Sequence, residues 1–527
     1  MPEAAPACPR HRPANWRLIG FVAACTATLI ALFVKARPDL VFTSAFLFQD
    51  QGNHLLIAAR LADGEVLYRD VAYPYGPLPA MLAGALAYSP AISALTYVVL
   101  QALLNVSFLV LLAHVLSRHV PPGAAAAIVM LGVVPLSMAP GTTAGSGISN
   151  TYIGLERLVL VALMLSWTPP EERTHVTSTV PGLGLGLWQL VKVGGAGFWL
   201  AAWLVVDVMA AAGRGRALWG RLLRCWGVIA SVALAAEACR WATLFLTLPA
   251  PVALDAAWPV YAYEHYRSIS SAVRDREFAV AELATQVPVV LAALGLALLS
   301  VRRQLVDTEG RRALGLLIPS VFFVFGWAGY FGHRETMWQY AWTAIPGAVF
   351  AVAHAGRSVK IGASLIAMPA VALLLASIGG AARVGATEPL RMRNGDTLWM
   401  NSPTREAATT LLSLLEADRA TGGPVKTVVI PSGGGLYFYT GTSLLIRHPW
   451  VIDRYIRPYE WDAIGDRLRG VEHVAFTNEA GLTQERFDAR VAATLGPAVR
   501  ELWRGRVVRI ERHRGWSLVT LAAATAK

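Results

Sequence analysis

Cysteine is nearly absent: four in 527 residues, none of them after Cys239. A C-terminal region without cysteine tolerates an oxidising compartment but relies on no disulfide there. Cys25, Cys225 and Cys239 lie in apolar runs, and Cys8 lies in the N-terminal tail. Cys225 and Cys239 would be about 21 Å apart along one continuous helix, too far to bridge. Charge is scarce as well. Only 15% of the residues are charged, where soluble domains carry about a quarter, while 55% are hydrophobic and the mean hydropathy is +0.48. Neither GxxxxGK[ST] nor HExxH nor CxxC occurs, which removes the usual phosphate-loop, zinc-peptidase and dithiol readings. Internal repeats and low-complexity linkers are absent too.

What the chain has is apolar runs of membrane-spanning length, recurring down to residue 380. At 1.5 Å per residue they reach across a hydrocarbon core of about 30 Å. The sequence predicts a polytopic α-helical membrane protein with spans near 18–36, 91–116, 122–140, 152–167, 225–247, 278–300, 313–331, 338–356 and 360–380, plus a half-helix over Pro77–Tyr88. The stretch 181–211 is long for one crossing and short for two. Its Gly182, Gly184, Gly186, Gly194, Gly195 and Gly197 break it into two short helices, with Lys192 at the hairpin tip. That division keeps Arg118, Arg173, the Arg214–Arg224 group, Arg302–Arg303 with Arg311–Arg312, and Arg357 with Lys360 on one face, as the positive-inside rule requires. The formal net charge of +12 is therefore orientation charge rather than a nucleic-acid surface. The count is about eleven spans with a cytoplasmic N-terminus, and Trp16, Trp167, Trp219 and Trp338 fall near span ends, where interfacial aromatics collect. The run after Arg10, Arg12 and Arg17 ends in Val34-Lys35-Ala36-Arg37 without a small-x-small cleavage site, so it reads as an uncleaved first helix.

Three regions result: a cytoplasmic tail over 1–17, a membrane domain over 18–382 with its first external loop at 38–90, and a soluble α/β domain over 383–527. In the last, helices are expected near 404–417, 459–469 and 484–495, and strands near 426–431, 471–477, 506–511 and 516–521. Gly433-Gly434-Gly435 reads as a turn.

Polar chemistry concentrates in the first loop, from Gln49-Asp50-Gln51-Gly52 to Tyr73-Pro74-Tyr75-Gly76-Pro77. A short surface helix is expected from about Gly52 to Ala62. Asp50 lies just past a membrane helix, where an ionisable side chain is a functional candidate; it is also a good N-cap for the helix that follows. Asp70 follows Arg69, and a local ion pair in a turn accounts for both. Tyr73 and Tyr75, stiffened by Pro74 and Pro77, form a candidate aromatic wall. Lys192 either snorkels or meets an anion. Arg267, His333, Arg334 and Glu335 fall in later segments of the same face, and arginine there suits bidentate phosphate binding. Glu156-Arg157 reads as an internal structural pair.

The run Asp50-Gln51-Gly52, then Gly64-Glu65-Val66-Leu67-Tyr68-Arg69-Asp70, then Gly76-Pro77-Leu78 resembles the first external loop of bacterial GT-C glycosyltransferases, most closely the protein O-mannosyltransferase and aminoarabinose-transferase-like branch. The order of elements agrees over most of the chain. The resemblance implies a multi-pass protein of the bacterial inner membrane with an extracytoplasmic C-terminal domain, moving a sugar from a polyprenyl-phosphate donor to a hydroxyl of a glycan, lipid or protein. It makes Asp50 the general base and Asp70 a supporting acid. Arg334, Lys192, His333 and Arg267 become candidates for the donor phosphate, and Tyr68, Arg69, Tyr73, Tyr75 and Glu335 line the substrate. The family often has Asp-Glu where this chain has Asp50-Gln51. With one carboxylate missing, no metal or other cofactor is expected, since hard cations prefer carboxylate oxygens. The rival readings are a lipid-linked glycan ligase or polymerase, and a transporter or flippase of a lipid-linked sugar. A transporter would more often show repeats and mid-membrane charge.

Overall fold

The computed structural model describes residues 16–88, 92–117, 120–130, 151–212, 215–259, 311, 314–316, 318–320, 343 and 387–523, apart from 424, 452–455, 478 and 480. Arg267, His333, Arg334 and Glu335 lie outside the described residues, as do nearly all of the spans expected after residue 260.

Helix α1 (Trp16–Ala36) leads through two single turns, α2 (Pro38–Val41) and α3 (Ala45–Phe48), into α4 (Asp50–Ala62). The half-helix α5 (Pro77–Ala87) has 11 residues, about 16 Å, and falls short of a span. Next come α6 (Ala94–Ser117), α7 (Pro122–Ile128), α8 (Thr151–Ser166), α9 (His175–Val191), α10 (Gly195–Ala211), α11 (Arg216–Thr247) and α12 (Ala250–Ala257). Among the described residues, α1, α6 and α11 are long and apolar enough to cross a membrane.

The split of 181–211 into two helices is found, with Lys192 as the C-cap of α9 and Gly194, at φ 101°, turning the chain into α10. Helix α11 starts nine residues before the expected span, so Arg216, Arg221 and Arg224 ride on its first turns. It runs unbroken past Cys225 and Cys239, and both thiols are free. Two expectations are corrected. Arg173, counted among the orientation charges, is buried and donates to Asp207 at 2.5 Å, with Trp226 on the same carboxylate. Trp167 does follow the last residue of α8, but it is buried in the helical core instead of lying at an interface. Glu156 and Arg157 turn to different partners, the Trp188 indole at 2.8 Å and the Asn105 amide at 3.0 Å.

Residues 387–523 hold a hairpin, β1 (Glu388–Arg391) and β2 (Thr397–Met400), followed by α13 (Ser402–Ala420). Strand β3 (Thr427–Ile430), helices α14 (Gly434–Thr440) and α15 (Trp461–Arg469), β4 (His473–Phe476), helices α16 (Gln484–Leu495) and α17 (Pro497–Trp503), β5 (Val507–His513) and β6 (Trp516–Leu521) complete the unit. The four-stranded sheet runs β3-β4-β6-β5, its first pair parallel and the others antiparallel.

This unit has a core of its own around Val428, Val474, Phe487 and Trp503. A second apolar cluster is shared: Phe46, Leu47, Leu55 and Leu56 of the first loop pack with Tyr97 and Val98 of α6 and with Leu398, Leu411, Leu436 and Tyr437. Backbone bonds stitch the same seam. Trp399 donates to the Phe42 carbonyl at 2.6 Å, and Asp396 accepts from the Ala94 amide at 2.9 Å and the Tyr439 hydroxyl at 3.0 Å. First loop and C-terminal unit therefore fold as one body.

Candidate active site

Gly433-Gly434-Gly435, expected as a turn, instead starts α14, and that helix docks on α4. The docking demands glycine. A Cβ at Gly52 would sit 2.8 Å from the Gly435 Cα, and one at Gly435 would overlap the Phe46 carbonyl. At this contact Asn53, fully buried, donates to the Ser432 hydroxyl at 2.8 Å and accepts from the Gly434 amide at 3.0 Å. The residues are 379 apart in sequence or more.

Asp50 is the first residue of α4 rather than its cap; Gln49 takes the cap position with no side-chain bond. The partly exposed Asp50 carboxylate accepts from the Trp450 indole N–H at 2.7 Å. Trp450 comes from the C-terminal unit, just past the shared seam, and is 6% exposed. One turn on from Asp50, His54 is fully buried among aromatic rings: Tyr73 at 5.8 Å, Tyr97 stacked at 6.2 Å, Tyr152 at 6.1 Å and Trp450 at 5.9 Å. Burial pushes its imidazole down to about 3, so it is neutral at physiological pH, and its Nε2 has no hydrogen-bond partner among the described residues. The Tyr73 hydroxyl is equally buried and likewise has no partner among the described residues. Burial first, then the neighbouring tyrosines and Asp50, raises its pKa well above the ordinary phenol value.

The tyrosines carry the site on to Lys192. Tyr75 stacks on Tyr152 at 4.0 Å, and the Lys192 ammonium lies 5.5 Å over the Tyr152 ring and 3.9 Å from Glu156. The Gly76 amide donates to the Val191 carbonyl at 3.1 Å, fastening the loop to the hairpin tip. A side chain at Gly76 would collide with the Leu190 carbonyl.

Tyr68 and Asp70 shape the loop. Tyr68 has φ 69°, a left-handed conformation costing a non-glycine residue about 1–3 kcal/mol. Its hydroxyl donates to the Tyr75 carbonyl at 2.7 Å, and its own carbonyl accepts from Arg447. Arg69 and Asp70 form the local pair at 2.9 Å, and Asp70 also accepts from the Val66 amide at 2.8 Å. The Arg69 hydrogen bond, ahead of the opposing effect of burial, lowers the Asp70 pKa.

A clasp from the C-terminal unit closes over this loop. Arg447 bonds Glu460 and the Tyr68 carbonyl, its carbonyl accepts from the Ala72 amide at 2.9 Å, and His448 bonds Glu460 at 2.9 Å. Burial, outweighing the pull of Glu460, lowers the His448 pKa. Burial alone would raise Glu460, but His448 and Arg447 together hold it below the carboxylate range. Arg457 and Tyr459 reach Asp255 of α12 at 3.0 and 2.7 Å. A small recess of about 10 Å³, room for about one water molecule, lies between clasp, loop and α12, lined in part by Tyr68, Tyr73, Asp255, His448 and Arg457.

Of the expected site residues, Asp50, Tyr73, Tyr75 and Lys192 are thus joined by a chain of contacts through Trp450 and Tyr152, while Tyr68, Arg69 and Asp70 form the turn beside it. His54, Asn53, Trp450 and the clasp were not expected. An unpaired histidine four residues from a candidate aspartate was the available sequence signal for His54; Trp450 had none. Among the described residues no three His, Cys, Asp or Glu side chains gather as a metal site.

No protein-family model matches the chain, and no curated protein sequence does. Solved structures do. ArnT of Cupriavidus metallidurans, an aminoarabinose transferase solved with undecaprenyl phosphate, is 12% identical, with a TM-score of 0.52 over 98% of this chain and 100% of that one. The oligosaccharyltransferase of Archaeoglobus fulgidus, solved with zinc and sulfate, is 15% identical, with a TM-score of 0.50 over 92% of this chain and 71% of that one. The chain has the GT-C fold of these polytopic membrane proteins.

Proposed function

We propose that the protein is a membrane glycosyltransferase that moves a sugar from a polyprenyl-phosphate carrier to an acceptor hydroxyl on the extracytoplasmic face, with Asp50 as the general base. The observation that carries this reading is the chain of ring contacts, Trp450–Tyr73–Tyr75–Tyr152, that runs from the Asp50 carboxylate to the Lys192 ammonium. Inverting transfer needs three things: a base at the acceptor oxygen, a surface for the sugar, and positive charge where the phosphate leaves. Asp50 takes the acceptor proton as the C1–O bond forms. The bond from C1 to the phosphate oxygen breaks with its electron pair, and Lys192 faces the charge that accumulates there. Tyrosine and tryptophan faces suit the C–H faces of a sugar ring, and the His54 Nε2 and Tyr73 hydroxyl supply hydrogen bonds to its hydroxyls. Asp70, clasped by Arg69 and the Val66 amide, holds the loop rather than moving a proton.

Arg334, His333 and Arg267 remain candidates for the phosphate, and Glu335 for the acceptor side. The fold shared with ArnT, solved with undecaprenyl phosphate, supports a polyprenyl carrier. The test is donor consumption by the full chain in proteoliposomes, offered polyprenyl-monophosphate sugars beside polyprenyl-diphosphate oligosaccharides. Release of polyprenyl phosphate from a monosaccharide donor is the expected result. Turnover of the diphosphate oligosaccharide alone would replace this reading with a ligase.

A further inference from the structure

We infer that Trp450, delivered by the C-terminal unit, is a positioning residue that aims the Asp50 carboxylate; this rests on Asp50 being the base. Asp50 is the partly exposed first residue of α4, where an unrestrained carboxylate would sample several rotamers and face water. The indole N–H at 2.7 Å restrains it. An indole nitrogen donates only, so it favours the carboxylate form and never competes for the proton that Asp50 must take.

Trp450 is itself held from several directions. The Val451 amide donates to the Pro431 carbonyl at 2.7 Å, Ser432 and Trp450 form an antiparallel bridge, and the indole packs on His54 and Tyr73 at 5.9 and 6.3 Å. Three residues earlier Arg447 anchors the clasp. The C-terminal unit thereby becomes part of the site rather than a cover over it.

Among the described residues, the titratable groups around this contact have partners or protonation states of their own. Tyr73 is protonated across the physiological range and His54 is neutral. Helices α3 and α5, packed on α4, carry no titratable side chain, and α14 brings Tyr437 and Tyr439, bonded to the Thr427 carbonyl and to Asp396. The clasp brings Arg447 and His448, both on Glu460; the hairpin tip brings Lys192, near Glu156; α4 itself brings Arg60, paired with Glu65.

The experiment compares the full-length wild type with Trp450→Phe, and with 3-benzothienylalanine incorporated at position 450. The first keeps an aromatic ring, and the second keeps the bicyclic shape while replacing N–H by sulfur. Both should lower kcat for donor consumption about tenfold or more, as loss of a hydrogen bond to a charged group does. The donor KM should stay within about twofold, and the acid limb of kcat should move up by about one pH unit, because the carboxylate has lost a stabilising donor. An unchanged kcat and acid limb in the benzothienyl protein would overturn the inference, as would a change confined to KM. Asp50→Asn runs in parallel. If it is inert while the Trp450 variants match wild type, only this inference fails. If it is fully active, the base assignment fails and the inference with it.

Discussion

Adding one methyl group at Gly435 would separate the C-terminal unit from the first loop. The new Cβ overlaps the Phe46 carbonyl oxygen and lies 2.7 Å from the Leu47 Cα. Both obstacles are backbone, so no side chain can swing aside. Overpacking costs about 1–3 kcal/mol even where neighbours can yield. Retreat of α14 would also strand Asn53, whose bonds to Ser432 and Gly434 are buried; an unsatisfied buried polar group costs about 1–3 kcal/mol more. A cost of about 3 kcal/mol at the docked state corresponds to roughly a hundredfold change in its equilibrium. Hydrogen exchange of α4 amides reads this directly: in Gly435→Ala those amides should exchange about a hundredfold faster, while β3 and β4 keep their protection. Turnover should fall with the docking. Wild-type exchange in α4 together with normal activity would refute the reasoning, because the contact would then be compressible.

Three further outcomes follow from the same geometry. His54, held down to about 3 by burial, has a folded pKa below its unfolded value near 6.5, so the unfolded chain binds the extra proton. Stability is full above pH 6.5 and falls by about 2 kcal/mol by pH 5; His54→Phe should flatten that slope in thermal unfolding at pH 7.5 and 5. Glu460→Gln removes the counter-charge of the half-buried Arg447 and should cost about 3 kcal/mol, seen as a lower thermal midpoint and faster proteolysis near residue 447. Asp70→Asn should leave turnover within about threefold of wild type, since its exposed pair with Arg69 contributes at most about 1 kcal/mol.

Local pattern made much of this architecture legible. Helix α4, the half-helix α5 and the hairpin at Lys192 announce themselves through apolar runs cut by proline and glycine. Asp50 and the tyrosines stand out because polar groups are rare in this chain. The seam was hidden because its signals are not local. Gly433-Gly434-Gly435 has the composition of a turn, and only the approach of Gly52 and Phe46 gives those glycines a reason to be small. Trp450 lies 400 residues from Asp50, and nothing in a tryptophan's neighbourhood tells which carboxylate it will meet. Arg173 and Trp167 misled for a related reason: at a span end, charge and indole read as interface markers, yet Asp207 and the helical core bury them.

Single-turnover transfer from a labelled polyprenyl-phosphate sugar, wild type beside Asp50→Asn in proteoliposomes, reads the role of Asp50. Losing a general base slows transfer about 10²–10⁴-fold. The account predicts a drop of that size in the acid-to-amide variant, with donor binding and size-exclusion profile unchanged. Equal single-turnover rates in the two proteins would contradict it.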